Sequence, residues 1–210
     1  MSDILKKFEN KAISKNPQYG SFLNCQEGLK HALNTSGLPS NRLYLLKDTF
    51  MMASRLFVCN LLKLNKGYHL IIDLGALLNF EILKQNNINL DNILYYQPLG
   101  EKELFTVIRK MMQCKGLDSI IISNIDLLFP LIFDMKEFIS KIHKLEQFCL
   151  KYKNPIIVLS PYNKIRYNES FPIVLSFSSI KNSKYTVNIE RNMVNFSTHK
   201  YNVTINISRS

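Results

Sequence analysis

Cysteine pairing, metal-ligand spacing and long apolar runs are all missing from this chain. Cys25, Cys59, Cys114 and Cys149 are far apart and form no CxxC pair, and with four scattered histidines they offer no cluster spaced to hold a metal. No apolar run approaches the ~18 residues that a membrane-spanning helix needs. Lys6, Lys7 and Glu9 stand where a secretion signal has its continuous apolar stretch. There are no internal repeats and no long linker. These absences argue against a disulfide scaffold, a zinc module, an integral membrane protein and a solenoid, and lead us to expect a reduced, cytoplasmic protein without a metal or other cofactor. Five glycosylation sequons, at Asn34, Asn168, Asn195, Asn202 and Asn206, are read as chance matches in an Asn-rich chain.

Acidic residues are also scarce. Lys plus Arg number 27 against 16 Asp plus Glu, a formal charge of +11 with a pI near 9.5. Such an excess favours polyanionic partners, because cations that neutralise phosphates release counterions. A composition inflated in Lys, Asn and Ile together gives the same charge on a plain solvated surface, so charge alone does not assign nucleic-acid binding.

What is present is an alternation of helical and strand patterns. Residues 2–16 place Ile4, Leu5, Phe8, Ala12 and Ile13 on one helical stripe that ends before Pro17. An isolated helix of this length is marginal in water, so its apolar side is expected to dock on its own core or on another molecule. Helices are predicted over 24–36, 50–64 (ended by Lys66-Gly67), 77–86, 100–115 and 134–152. The last of these turns Phe138, Ile142, Leu145, Phe148 and Cys149 inward.

Strands are predicted over 42–46, 68–74, 93–97, 118–125 and 154–160. YHLIIDL and DSIIISNI are continuous apolar runs without alternation, as suits central parallel strands buried on both faces. The end of the chain changes character: YTVNIER (185–191) and KYNVTINIS (200–208) alternate, as antiparallel strands with one wet face do. The expected fold is α/β, a mainly parallel sheet flanked by helices through right-handed crossovers, with antiparallel strands at the C-terminal end. We divide it into an N-terminal helix and connector, 1–20, and a single core domain, 21–210.

The order of short motifs resembles the bacterial RecA recombinase family over most of residues 22–130, and more weakly over 131–208. LNCQEGLKHALNTSGLPSNRLYLL is similar to the family's short helix running into GGLPxGR and a strand. Leu90-Asp91-Asn92-Ile93-Leu94, Gln97-Pro98 and Gly100-Glu101 reproduce the family's "DNLL…QP…GEQAL" stretch, and a buried strand follows where the family has Walker B. The resemblance implies a RecA-like core without the family's separate C-terminal domain.

The residues that would bind and hydrolyse ATP are gone. A P-loop needs glycines so that backbone N–H groups wrap the phosphates, a Lys for their charge and a hydroxyl for magnesium. The family has GPESSGKT; this chain has Asp48-Thr49-Phe50-Met51-Met52-Ala53-Ser54-Arg55. No glycine remains, Phe50, Met51 and Met52 are bulky where backbone must approach phosphate, and Asp48 adds repulsive charge. Arg55 is either a stray cation or a helix surface residue. The family's activating carboxylate falls on Gly75 and its Walker B acid on Ser123. Asp73 survives, as a turn cap or a chemical group, and Asp126 is either a displaced magnesium ligand or a helix cap. The chain is therefore not expected to be an enzyme.

By the same resemblance, DNA-contacting loops follow the Walker B strand and the strand NPIIVLS. The first is shortened here to Leu131–Asp134. The second contains Tyr162, Lys164, Arg166 and Tyr167, cations and aromatics that suit phosphate contact and base stacking, or else make a solvated loop. Lys136, Lys141 and Lys144 extend the patch or form the wet side of their helix. Family filaments pack the N-terminal helix on a neighbour, which makes Leu5, Phe8 and Ile13 docking candidates. The expected partners are DNA, a RecA-type recombinase or other repair protein, and a second copy of the chain, with no membrane. The expected function is a non-catalytic accessory or regulator of DNA recombination and repair. The alternative is a protein-interaction module, like RecA-like cell-division inhibitors or accessory factors of mutagenic polymerases, that binds no DNA.

Overall fold

A computed structural model describes residues 22–33, 35–127, 135–161, 169–180, 184–193 and 202–206. The elements run β1 (Phe22–Leu23), α1 (Glu27–Leu33), β2 (Leu38–Pro39), β3 (Leu43–Lys47), α2 (Met52–Leu64), β4 (Tyr68–Asp73), α3 (Phe80–Gln85), β5 (Ile93–Tyr96), α4 (Glu101–Met111), β6 (Leu117–Ser123), α5 (Met135–Tyr152), β7 (Ile156–Ser160), β8 (Ile173–Ile180), β9 (Lys184–Asn192) and β10 (Asn202–Asn206). Short 3₁₀ turns at Leu90–Asn92 and Ile125–Leu127 precede β5 and follow β6.

Eight strands form one sheet in the order β10-β9-β8-β3-β7-β6-β4-β5. The six from β8 to β5 are mutually parallel, while β9 runs antiparallel to both β8 and β10. The expectation of an α/β protein with a mainly parallel sheet and antiparallel strands at the end holds. The central strands are apolar on both faces because helices cover both. Tyr44, Leu46, Ile71, Ile121, Ile157 and Leu159 pack against α1, α2 and α3, while Leu45, Leu70, Ile72, Ile120, Ile122 and Val158 pack against α4 and α5. Of the residues expected to face inward from α5, Phe138, Ile142, Leu145 and Cys149 are buried and Phe148 is half-buried.

The structure differs from the sequence reading at several boundaries. Strand β8 had no counterpart in it: Ile173–Leu175 are buried on both faces beside β3, but a run of serines after Leu175 hides any period. Helix α1 is half the expected length. Helix α2 ends at Leu64, as expected, but Asn65 caps it in place of Lys66-Gly67. The Asn65 backbone N–H reaches the Leu61 carbonyl at 3.1 Å, and its side chain ties Asn24 to the same turn at 2.9 and 3.0 Å. Gly67 has another role, since a Cβ there would lie 2.2 Å from the Asp118 carboxyl, which accepts the Gly67 N–H at 2.9 Å. Helix α4 stops at Met111, and Gly116, at φ 83°, turns the chain into β6.

Candidate functional site

In a parallel α/β sheet the loops beyond the strands' C-terminal ends are the usual place for a ligand. Here that edge collects Asp48 after β3, Asp73 and Gly75 after β4, Tyr95 in β5, Ser123, Asn124 and Asp126 at the end of β6, and Ser160 at the end of β7. The sequence order thus brings together the positions at which the RecA resemblance places the phosphate loop, the activating acid and the Walker B acid.

The loop from β3 into α2 is built around the Asp48 carboxylate. One oxygen accepts the Phe50 N–H at 3.1 Å; the other accepts the Ser54 N–H at 2.9 Å and the Ser54 hydroxyl at 3.2 Å. Asp48 is 7% exposed. It takes over the cap that Met51, left-handed at φ 55° and without a side-chain bond to the helix, does not supply. Orphan N–H groups at a helix start favour an anion, and here the anion is the protein's own side chain. The bulky residues divide unexpectedly: Met51 turns inward, while Phe50, 80% exposed, and Met52 stand outside the position they were expected to fill. Arg55 is half-buried and donates Nε–H to the Met51 carbonyl at 2.6 Å, so it braces its own helix.

Asp73 is equally occupied. Its carboxylate accepts N–H bonds from Leu77 at 3.1 Å and Leu78 at 3.2 Å, the Tyr95 hydroxyl at 2.7 Å, and the Ser123 hydroxyl. A carboxylate offers about four acceptor positions, so these four donors saturate it. Burial, then the bond to Asp73, pushes the Tyr95 phenol above its ordinary range and keeps it a donor. Ser123 in turn accepts the Leu74 N–H at 3.0 Å. Of the two readings of Asp73, the turn cap is the one its bonds describe.

Gly75 supplies no acid, and its neighbours are close. A Cβ there would lie 3.0 Å from Asn124 Nδ2 and 3.4 Å from Leu127 Cδ1. Asp126 accepts the Ser160 hydroxyl at 2.6 Å from the neighbouring strand, a contact unlike the helix cap proposed for it. The residues at this edge therefore do not fit a magnesium–triphosphate group: one carboxylate occupies the helix N-terminus, a second is saturated, and the third position is a glycine with no carboxylate.

Tyr162, Lys164, Arg166 and Tyr167 lie outside the described residues, as do Leu5, Phe8 and Ile13 and the shortened loop Leu131–Asp134. Lys141 bridges Glu101 and Glu137 at 2.6 Å each, which fastens α4 to α5 and withdraws it from any patch. Lys144 lies over the Phe105 ring at 4.9 Å. Sequence reasoning missed Tyr95 and Ser160, whose partners come from neighbouring strands, and Asn124, left-handed at φ 50°, whose buried Oδ1 has no partner among the described residues. No helix among the described residues is long and apolar enough to cross a membrane. No protein-family model matches the chain, and no curated protein matches it in sequence.

Proposed function

We propose that this chain is a non-catalytic RecA-like protein, a cytoplasmic accessory or regulator of DNA recombination and repair that binds DNA, a recombinase partner or both without hydrolysing ATP. The observation that carries the reading is the Asp48 carboxylate, which sits on the α2 N–H groups where the resemblance places a nucleotide phosphate. A triphosphate there would have to displace a buried anion from its bonds and meet no lysine in return. The saturated Asp73 and the missing carboxylate at Gly75 support the same conclusion independently. The mainly parallel sheet ended by antiparallel strands is the arrangement that the resemblance implies. The net charge of +11 favours DNA among the partners.

The test has two parts. Calorimetric titration with magnesium–ATP is expected to give no saturable binding at millimolar nucleotide, and micromolar affinity would overturn the non-catalytic reading. Fluorescence anisotropy with labelled single- and double-stranded oligonucleotides is expected to show ATP-independent binding that weakens steeply with salt. Absence of binding at low salt would favour the protein-interaction module instead. One feature supports that second reading: Phe50, Met52, Phe80, Leu99 and Leu127 are all exposed along the C-terminal edge, with Leu99 98% exposed.

A further inference from the structure

The opposite edge of the sheet, where the parallel strands begin, carries the other half of the charge pattern. Helices α2, α4 and α5 all end there, and the loops that follow them lead into β4, β6 and β7, three consecutive strands of the sheet. Lys63, Lys66, Arg109, Lys110, Lys115, Lys151 and Lys153 lie on these helix ends and loops, and all seven are exposed. The loops are tied to one another. The Tyr68 N–H reaches the Gly116 carbonyl at 3.1 Å, the Ile120 N–H reaches the Pro155 carbonyl at 3.0 Å, and Gln113 donates to the Tyr152 hydroxyl at 3.3 Å. Adjacent strands lie about 4.8 Å apart, so the backbones carrying Lys66, Lys115 and Lys153 fall within a strip on the order of 10 Å wide.

Carboxylates are few on this strip. Among the described residues they are Asp118, bonded to the Gly67 N–H, and Asp91 in the turn before β5. Cations in a last helical turn offset the helix dipole, which accounts for Lys63, Arg109, Lys110 and Lys151. It does not account for Lys66, Lys115 and Lys153, which lie beyond the helices. Beside Lys63 and Lys66 a cavity of about 410 Å³ is lined by the amides of Asn65, Asn87, Asn89 and Asn92. At the other end of the strip, Tyr152 has Lys151 over its ring at 5.2 Å, and the Gln113 bond, then Lys151 and Arg109, hold its phenol below the ordinary value.

We infer that this basic strip is a docking surface for the phosphate backbone of nucleic acid. Five large exposed apolar side chains stand on the C-terminal edge, whereas the described residues of this strip set Leu64 and Leu150 among seven cations, asparagine amides and one aromatic ring. That chemistry matches a sugar–phosphate chain better than a lipid surface. The inference rests on the DNA-binding reading above and locates the contact.

The experiment compares the full chain with two variants, Lys66→Gln/Lys115→Gln/Lys153→Gln on the strip and Lys164→Gln/Arg166→Gln in the loop. Anisotropy with labelled single- and double-stranded oligonucleotides is followed from 50 to 300 mM salt. The strip variant is expected to bind duplex about tenfold or more weakly at 100 mM salt, with its log–log salt slope shallower by roughly two to three. A strip variant that keeps wild-type affinity and slope overturns the inference. If only the loop variant loses binding, this inference fails and the functional reading survives; if the wild-type chain binds neither oligonucleotide at 50 mM salt, both fail. A wild-type chain that binds anionic phosphatidylserine vesicles but not oligonucleotide also overturns it. Lys115→Glu alone, a single surface change, provides the same comparison should the triple variant misfold, with weakened DNA binding expected and unchanged binding counting against the strip.

Discussion

The two edges of the sheet hold their polar groups in opposite ways. At the C-terminal edge Asp48, Asp73, Ser123, Tyr95, Asp126 and Ser160 bond to one another or to backbone, and exposed apolar side chains stand between them. At the N-terminal edge the cations are exposed, and the polar groups that serve the fold are backbone atoms, asparagine amides, Asp118, the His69–Ser119 pair and the Gln113–Tyr152 pair. The first edge is organised for its own stability and the second has charge left over. An edge whose carboxylates already hold their donors has little to offer a polar ligand beyond the buried, unpartnered Asn124 Oδ1.

That contrast is broken most directly at Asp73. Asp73→Ala would strand the Ser123 and Tyr95 hydroxyls and two N–H groups in a buried site, and should lower unfolding free energy by about 3–4 kcal/mol, measured in urea. A loss below about 1 kcal/mol would mean that the network is not holding the edge together. Asp48→Ala removes the cap of α2 and leaves the left-handed Met51 unsupported, for an expected loss of about 2 kcal/mol. The same variant should remain unable to bind magnesium–ATP, because deleting the occupying anion restores neither glycine nor lysine. Nucleotide binding by Asp48→Ala would show that the carboxylate alone had kept the site closed.

How far the sequence foretold these edges depends on whether a residue's role is local. The buried strands β4, β6 and β7 were legible because burial on both faces demands uninterrupted apolar runs such as Leu70-Ile71-Ile72 and Ile120-Ile121-Ile122. The absence of a phosphate-loop pattern over residues 48–55 was legible because glycine and lysine are required by type. Strand β8 was not, since Ser176, Ser178 and Ser179 interrupt its second half, and two-residue strands such as β1 and β2 carry no period at all. The side-chain partners of Asp73, Tyr95 and Ser123, come from 22 and 50 residues away, and no spacing rule connects them. Asp48 bonds only six residues ahead, yet that bond depends on Met51 turning left-handed, which nothing about a methionine announces. The basic strip was hidden for a related reason. Each lysine reads singly as the wet end of a helix, and only the strand order places β4, β6 and β7 side by side.

His69 sharpens the comparison at the N-terminal edge, where it is a buried ionisable group. Its Nδ1 lies 2.8 Å from the Ser119 hydroxyl and its Nε2 3.1 Å from the Asn65 carbonyl, so the neutral ring donates to Asn65 and accepts from Ser119. Burial lowers its pKa below the ordinary value near 6.5, against smaller opposing effects from the Asn65 bond and Asp118. A depressed histidine pKa means that the unfolded chain binds the extra proton first. Stability from this group is therefore complete above about pH 6.5 and declines as pH falls through the window beneath it. Stability is expected to fall between pH 7 and 5, and His69→Gln should flatten that part of the stability–pH curve. An unchanged curve in the variant would place the pH dependence elsewhere.

The smallest expected effect separates the two explanations of the basic strip. If Lys66, Lys115 and Lys153 serve the fold by offsetting helix dipoles, replacing all three with Gln should lower the melting temperature at low salt. If they are surplus charge held for a polyanion, removing them relieves repulsion in a chain of net charge +11. Tm should then stay within about 2 °C of wild type or rise slightly, with any rise vanishing at high salt as screening removes the repulsion. Differential scanning calorimetry at 20 and 500 mM salt distinguishes these outcomes. A clear fall in Tm at low salt would return the strip to the structural role that its neighbours in the last helical turns already have.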